Sequence, residues 1–391
     1  MSMTVDNRRK LLKRKRLKKE RLLIHVLNEQ KKRFIIRIST IKLYKPKISF
    51  LEGMAILIGT QIGAGVLGLP YAASRVGIFL ASLILFGVML LMLFTALIIL
   101  KFSAEMGGMQ MSTLAQKILG KAGGWFMYSS IVIMSFGALL AYISGMGSVF
   151  SNLLGIDEML ASILFWLFSS IVIYLGLEAS GKTELVMSFI MLLLFISVVF
   201  MLSPYAKVEN GIYTDFSGIF SMMGVAIFSL GCHTVIPDVY NGLGSYEKAK
   251  KAVILSFLIP AIIYAIFMAV FLFVFGRNMP QIATQGLESM YGRLGNIFGN
   301  VIPMIAITTS YIGVALAQQS NTKEFLRTRK IYAWAITAIP PLAIYLAGIR
   351  NFADVLAFAG DTGDMLAFII LPIIIFIVKK QKAASNKDIK S

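Results

Sequence analysis

The stretch GTQIGAGVLGLP, residues 59–70, interrupts the first long apolar segment of the chain. In a helix interior each glycine costs about 1 kcal/mol and a proline about 3 kcal/mol relative to alanine. The surrounding segment, 49–73, is nevertheless apolar and long enough to cross a bilayer, which takes about 20 such residues. We therefore expect a membrane-spanning helix that is broken near its middle.

Nine further apolar stretches of spanning length follow the first. Hydrophobic residues make up 57% of the 391 residues and charged residues only 15%, whereas soluble domains average about 25% charged residues. We predict an all-α polytopic protein of the cell membrane. Its ten transmembrane helices are expected at about 49–73, 77–101, 123–150, 159–177, 183–203, 216–241, 252–276, 294–317, 331–349 and 352–378.

The net charge of +19 is concentrated at the N-terminus. Residues 1–47 contain 17 Lys and Arg against three acidic residues, a net charge of +14. We predict a basic cytoplasmic arm (1–47), a transmembrane domain (48–378) and a cytoplasmic tail (379–391). The arm is either an amphipathic helix lying on anionic lipid headgroups or a disordered tail that only fixes orientation. No nucleic-acid-binding fold accompanies the basic residues, so we expect no nucleic acid partner.

The remaining basic residues predict the orientation. With the N-terminus inside, eleven Lys and Arg fall in the cytoplasmic loops and five in the external loops. This distribution obeys the positive-inside rule. An even number of spans then returns the basic C-terminal tail to the cytoplasm.

Several kinds of chemistry are excluded by residue type. The single cysteine, Cys232, and two histidines leave no disulfide framework and few metal ligands. There is no phosphate-binding loop of the Gly-x-x-x-x-Gly-Lys type, so the chain has no visible ATP motor. There is also no paired nucleophile and base. We expect no enzyme activity, no metal and no cofactor, and any uphill movement must be driven by a sodium or proton gradient.

A second interruption, FSLGCHTVIPDVY at 228–240, lies in the sixth predicted helix. The ten helices thus divide into two sets of five, 48–203 and 213–378, each opening with a broken helix. Since five is odd, the second set enters the membrane from the opposite side. Broken helices at matching positions of inverted halves indicate a transporter binding site, because unwound backbone in a membrane must face protein or water.

The chemistry of these breaks suits a zwitterion. Half-helix N-termini offer free amides to a carboxylate, while half-helix C-termini and unwound carbonyls suit a cation. An amino acid carries both charges. The alternative is that glycines such as Gly59 and Gly63 only allow neighbouring helices to pack closely.

These segments resemble a known family. LIGTQIGAGVLGLPYAASRVGI (57–78) and FSLGCHTVIPDVYNGLGSYEKAKKAV (228–253) resemble the first- and sixth-helix signatures of the amino acid/auxin permease family, within the amino acid–polyamine–organocation superfamily. TTSYIGVALAQQ (308–319) is similar to the eighth helix of bacterial aromatic amino acid permeases, and FADVLAFAGDTGDMLAFIILP (352–372) resembles the tenth helix. Many relatives have an eleventh helix, and the aspartates of GDTGD replace small or hydroxyl residues.

The resemblance implies a LeuT-type fold, a five-plus-five inverted repeat with discontinuous helices 1 and 6. It also implies a substrate site, in which the carboxylate meets amides near Gly63, where glycine permits close approach and positive φ. The ammonium group faces carbonyls of both breaks. The expected substrate-binding residues are Thr60, Gln61, Gly63, Ala64, Gly65, Tyr142, Ser229, Leu230, Cys232 and His233. Alternatively, His233 satisfies a freed carbonyl and Tyr142 anchors a helix end at the interface.

The superfamily's sodium site joins first-helix carbonyls to eighth-helix hydroxyls. The matching positions are the carbonyls of Ile58 and Gln61 and the hydroxyls of Thr308, Thr309 and Ser310. The alternative is that these hydroxyls bond only the i−4 carbonyls of their own helix.

Asp361 and Asp364 provide a competing coupling site. The apolar run that follows them, 365–378, has 14 residues and is too short to span by itself. Both aspartates should therefore lie within the membrane, on one helix face. Ionisable residues there are often proton carriers. The alternative is that they gate a water-filled vestibule and pair with Arg75 or Arg350.

Together these observations predict a secondary active amino acid transporter that works by alternating access. It would symport a neutral amino acid, aromatic or branched, with sodium or protons, because the residues near the breaks are small or apolar and disfavour charged substrates. The alternative is an amino-acid-sensing receptor with the same fold and little flux, whose basic arm docks a partner.

Overall fold

The computed structural model describes residues 48–175 and 181–388, and every regular element within them is helical. The basic arm (1–47) and residues 389–391 of the predicted tail lie outside the described residues. The α-helices are α1 Phe50–Gln61, α2 Ala64–Ala73, α3 Ile78–Glu105, α4 Met111–Leu154, α5 Glu158–Leu175, α6 Gly181–Leu202, α7 Ile219–Ser229, α8 Ile236–Leu243, α9 Tyr246–Phe275, α10 Leu287–Leu326, α11 Lys330–Leu346, α12 Phe352–Ala359 and α13 Leu371–Asp388. A π-helix, Gly360–Ile370, joins α12 to α13, and short 3₁₀-helices lie at Ser203–Tyr205, Val208–Asn210, His233–Val235 and Ala283–Gly286.

The described helices match the predicted spans in position. Eight helical stretches are long and apolar enough to cross a membrane, and α1 with α2 adds a ninth as a pair bent by 46°. The remaining apolar helix, α11, has only 17 residues. The count of ten spans therefore stays a prediction.

The surface of α3 is typical of a helix that faces lipid. Its mean hydropathy is 3.0, and it is apolar on all sides. Phe79, Leu83 and Leu90 are each more than 60% exposed. Apolar exposure on this scale is unfavourable in water but suits contact with hydrocarbon.

Two long helices contain a second kind of interruption. Gly120 within α4 has φ 82° and Gly292 within α10 has φ 55°, and each kinks its helix. Glycine adopts positive φ without the strain that a side chain would cause. In the predicted topology, both helices are the third of their five-helix sets. The kinks thus match in position, as the breaks do, and they support the inverted repeat, which itself stays a prediction.

Close glycine contacts place the π-helix in the core. A Cβ atom added to Gly360 would collide with the carbonyl oxygen of Gly224 on α7, and one added to Gly363 would collide with the backbone of Met134 on α4. Small residues allow membrane helices this close approach. The π-helix therefore packs directly against the helix that leads into the second break.

Candidate functional site

The first break lies between α1 and α2. The last turn of α1 closes through an Ile62 N–H bond to the Ile58 carbonyl at 2.7 Å, and Gly63 N–H donates to the Gln61 carbonyl at 2.8 Å. Because α2 begins at Ala64, the amides of its first turn have no helical partner. The break therefore presents helix N-terminal amides, as predicted for a carboxylate site. The Ile58 carbonyl is already bonded.

The second break separates α7 from α8. Helix α7 ends at Ser229, a 3₁₀ turn covers His233–Val235, and α8 begins at Ile236. Pro237 occupies the first turn of α8, where a missing amide hydrogen costs no hydrogen bond. Glycine and proline thus produce both breaks at the positions predicted from the sequence.

The two breaks approach each other and α10 through glycines. A Cβ atom on Gly63 would collide with the Ser310 hydroxyl, and one on Gly65 would lie 2.8 Å from the Ser229 Cα atom. The expectation of positive φ was wrong, since Gly63 has φ −118° and neither glycine has a positive φ. Both glycines are needed because neighbouring chain segments lie too close for a side chain.

A buried phenol, missed in the sequence, bridges the two breaks. The Tyr264 hydroxyl on α9 lies 2.6 Å from the Gln61 carbonyl and 3.1 Å from the Ser229 carbonyl, and donates to both. Tyr264 is fully buried. One side chain therefore holds the C-terminal ends of α1 and α7 together. It occupies the Ser229 carbonyl, which was expected to face a substrate ammonium group, and the Gln61 carbonyl, which was expected to bind sodium.

A small cavity of about 20 Å³ lies between the breaks, which is room for about one water molecule. Apart from Asp364, its lining is uncharged. The lining residues are Thr60, Gln61, Gly63, Gly65, Met134, Tyr142, Phe228, Gly231, Thr234, Val314, Asp364 and Phe368. An amino acid fits here only if aromatic side chains move outward.

Three aromatic side chains give the cavity its apolar character. Tyr142 lies in the interior of α4 and contacts Phe228 edge-to-face, with ring centroids 6.3 Å apart. The alternative that Tyr142 is an interfacial anchor is wrong, because the residue is only 2% exposed. Phe368 on the π-helix forms the third surface.

His233 lies behind Phe368, outside the cavity lining. Its ring stacks on that of Phe368 with centroids 4.6 Å apart, and its Nε2 lies 3.0 Å from the Thr95 hydroxyl on α3. It neither lines the cavity nor bonds a freed carbonyl through these contacts. His233 instead supports the aromatic surface from the rear.

The other predicted substrate residues divide by orientation. Gln61 lines the cavity, and its amide nitrogen lies 3.2 Å from the Cys232 sulfur. Cys232 and Leu230 are fully buried outside the lining, as is Ala64, whose backbone amide belongs to the first turn of α2. The side chains of Leu230, Cys232 and Ala64 are therefore buried against neighbouring helices and do not line the cavity.

The three hydroxyls expected to bind sodium differ in their hydrogen bonds and in the direction they face. Thr308 donates to the Met304 carbonyl at 2.6 Å, and Thr309 donates to the Ile305 carbonyl at 3.1 Å. Both make the i−4 bond of the alternative interpretation. Ser310 is 4% exposed and packs against Gly63, so it is the hydroxyl that α10 directs at the first break.

The two aspartates both lie on the π-helix. Asp364 is 1% exposed and lines the cavity. Asp361 is partly buried and lies beside Gly224 on α7. One carboxylate oxygen of each is buried without a hydrogen bond to any described residue. The structure does not show the pairing of the alternative interpretation, because Arg75 lies 3.9 Å from Asp354 and Arg350 donates to the Tyr345 carbonyl.

A polar pocket of about 320 Å³ lies at the end of the bundle that the charge pattern places outside. Arg277 bonds Asp215 at 3.2 Å across it. Hydrogen bonds from Ser217, together with the Arg277 guanidinium, hold the pKa of the Asp215 carboxyl below its ordinary value. Arg75 lines the same pocket and also faces Asp354, so ion pairs join several helix ends on this side.

Broken helices that meet at a small cavity inside a bundle of apolar helices define a membrane transport protein. Solved structures share the fold. MhsT in complex with L-phenylalanine aligns with a TM-score of 0.61 at 14% identity, covering 85% of this chain and 89% of MhsT. A manganese transporter of Eremococcus coleocola aligns with a TM-score of 0.57 at 14% identity, covering 83% of this chain and 78% of the transporter. The fold is therefore of the LeuT type.

The family follows from the sequence. Residues 46–390 match the model of the tryptophan/tyrosine permease family, and the chain belongs to that family. Glutamine transporter 2 of Aliivibrio fischeri is 25% identical and tyrosine-specific transport system 1 of Haemophilus influenzae 26% identical, each covering about 85% of this chain and 90% of the relative. A low affinity tryptophan permease of Proteus vulgaris is 26% identical over 85% of this chain and 88% of the permease.

Membership corrects one prediction and confirms others. The family is not the amino acid/auxin permease family, although the eighth-helix segment had indicated aromatic amino acid permeases. The prediction of a membrane protein from an amino acid permease family is confirmed. Proteins of this family are transport proteins and not enzymes.

Proposed function

We propose that this protein is a secondary active transporter that symports a neutral amino acid, aromatic or branched, with sodium or protons by alternating access. The observation that carries the proposal is the meeting of two helix breaks at an aromatic-lined cavity. Family membership supports amino acids as the substrate class. The names of relatives, which include tyrosine, tryptophan and glutamine, support a neutral side chain.

The substrate orientation follows from the ends of the helices. The carboxylate binds the amides of Ala64 and Gly65, where α2 directs its positive end into the break, because the predicted third amide, that of Gly63, already donates to the Gln61 carbonyl. The side chain lies among Tyr142, Phe228 and Phe368. Aromatic rings pack edge-to-face or offset against such surfaces, so a large apolar side chain is favoured over a charged one.

Two sites compete for the coupling ion. A sodium ion would bind the Ser310 hydroxyl with carbonyls of the first break, since hard cations prefer oxygen ligands. A proton would bind Asp361, whose carboxylate lies beside Gly224. Neutralising that carboxylate would change the contact between α7 and the π-helix, and this is the kind of coupling that alternating access requires.

The membrane arrangement completes the proposal. We place ten spans in the cell membrane with both termini in the cytoplasm, as the basic residues of the loops predict. The bilayer is then the protein's large partner, and the N-terminal arm would lie near anionic headgroups.

Uptake by purified protein in liposomes tests the function. Labelled tyrosine, tryptophan, phenylalanine, leucine and glutamine are offered under an inward sodium gradient, an inward proton gradient or neither. Concentrative uptake that depends on one gradient is the expected result. Binding without flux under every gradient would instead identify the sensing receptor.

A further inference from the structure

Two of the buried carbonyls at the breaks already accept hydrogen bonds from the protein. The Tyr264 hydroxyl bonds the carbonyls of Gln61 and Ser229, which end α1 and α7. The Gln61 carbonyl also accepts the Gly63 amide at 2.8 Å. At these two carbonyls the positive end of a transported zwitterion would compete with existing bonds, so an acceptor without a partner is the better candidate.

Asp364 lies where that acceptor is needed. It is 1% exposed, it lines the cavity together with Gly63 and Gly65, and it is the charged residue among the described lining residues. Its Oδ1 atom is buried and has no hydrogen-bond partner among the described residues. An isolated buried carboxylate is strongly unfavourable unless a positive group pairs with it or a proton neutralises it.

The backbone around Asp364 maintains this placement. Gly360 packs on the Gly224 carbonyl of α7, and Gly363 packs on the backbone of Met134 in α4. These contacts bring the π-helix close to two neighbouring helices immediately before Asp364 in the chain. Insertions of π-helix are frequent at functional sites.

We propose that Asp364 is the counter-ion of the substrate's α-ammonium group. The assignment rests on the proposed transport of amino acids and adds the recognition of their positive end. The carboxylate of the substrate binds the amides of α2, and its ammonium group binds Asp364 across the cavity. The site therefore accepts molecules with a charged amine beside a carboxylate and discriminates against acids that lack the amine.

Equilibrium binding to the purified full chain in lipid nanodiscs tests this role. The probes are the amino acid that wild type transports best and its desamino analogue, for example phenylalanine and 3-phenylpropanoate. Asp364→Asn is compared with wild type and with Asp157→Asn, which removes a carboxylate that caps a helix by accepting the Leu160 amide at 2.9 Å. Asp364→Ser is a second variant in case the amide does not fold.

The expected result is a selective loss. Asp364→Asn weakens amino acid binding at least tenfold, whereas binding of the desamino analogue stays within threefold of wild type or improves. Asp157→Asn leaves both affinities unchanged. Amino acid affinity within twofold of wild type would overturn the proposal, as would an equal loss of both ligands in a variant with a wild-type melting temperature.

Two further outcomes separate the hypotheses. If Asp364→Asn binds and exchanges the amino acid normally but no longer concentrates it, the residue is a coupling site and the counter-ion role is wrong. If wild type itself neither binds nor transports any amino acid of the panel, the proposed function fails, and the counter-ion role fails with it.

Discussion

Replacing Tyr264 with phenylalanine removes one oxygen atom from the point where the two broken helices meet. Its phenol donates to the Gln61 carbonyl at 2.6 Å and to the Ser229 carbonyl at 3.1 Å. The ring stays apolar and buried, so packing is nearly unchanged. The variant therefore isolates the bonds that join α1 to α7.

The cost can be worked from these bonds. A buried polar group left without its partner costs about 1–3 kcal/mol. The Gln61 carbonyl keeps its bond from the Gly63 amide, which lowers the cost, so we expect about 2 kcal/mol. Since about 1.4 kcal/mol corresponds to a factor of ten, a loss of about 2 kcal/mol in the conformation that binds substrate lowers substrate affinity by about 25-fold.

Binding and uptake by the full chain measure this loss. Tyr345→Phe is the matched control, because that buried phenol accepts a 2.8 Å bond from Ser162 and does not line the cavity. Size-exclusion profiles and melting temperatures establish that both variants are folded. Affinity within twofold of wild type for Tyr264→Phe, or an equal loss in Tyr345→Phe, would refute the reasoning.

Three other substitutions test the remaining parts of the site. Gly65→Val should abolish binding and uptake, because even its Cβ atom would lie 2.8 Å from the Ser229 Cα atom; normal transport would mean that the breaks do not have to meet so closely. Asp361→Asn should reduce gradient-driven uptake at least tenfold but counterflow exchange less than threefold, and an equal loss of both would contradict a coupling role. If sodium is the coupling ion, Ser310→Ala should raise the sodium concentration for half-maximal uptake at least fivefold, whereas Ser130→Ala, which loses only a bond to its own helix, should not.

The breaks were predictable because their causes are local. Clustered glycines at 59–70 and the glycine and proline of 228–240 disfavour a continuous helix locally, and the structure breaks a helix within each stretch. The spans were predictable for a similar reason, because each must be apolar over its whole length. Ser310 was found through the resemblance, and the structure places it against Gly63.

Which side chains line the cavity was not predictable from local sequence. Cys232 and His233 neighbour the second break in sequence but lie outside the cavity lining, because the 3₁₀ turn orients them towards α1 and α3. Tyr264 and Phe368 lie far from the breaks in sequence and reach them only through packing. Neither has a local signature that separates it from the many other aromatic residues of the chain.

The π-helix also contains more residues per turn than an α-helix. Its bonds span one residue more than those of an α-helix, so 360–370 contains extra chain relative to a regular helix of the same length. Deleting one residue there would restore α-helical spacing and change the direction of side chains inside 360–370, while the flanking helices α12 and α13 keep theirs. Such a deletion would keep the Asp364 carboxylate but change its direction, so it tests whether binding depends on where the carboxylate points.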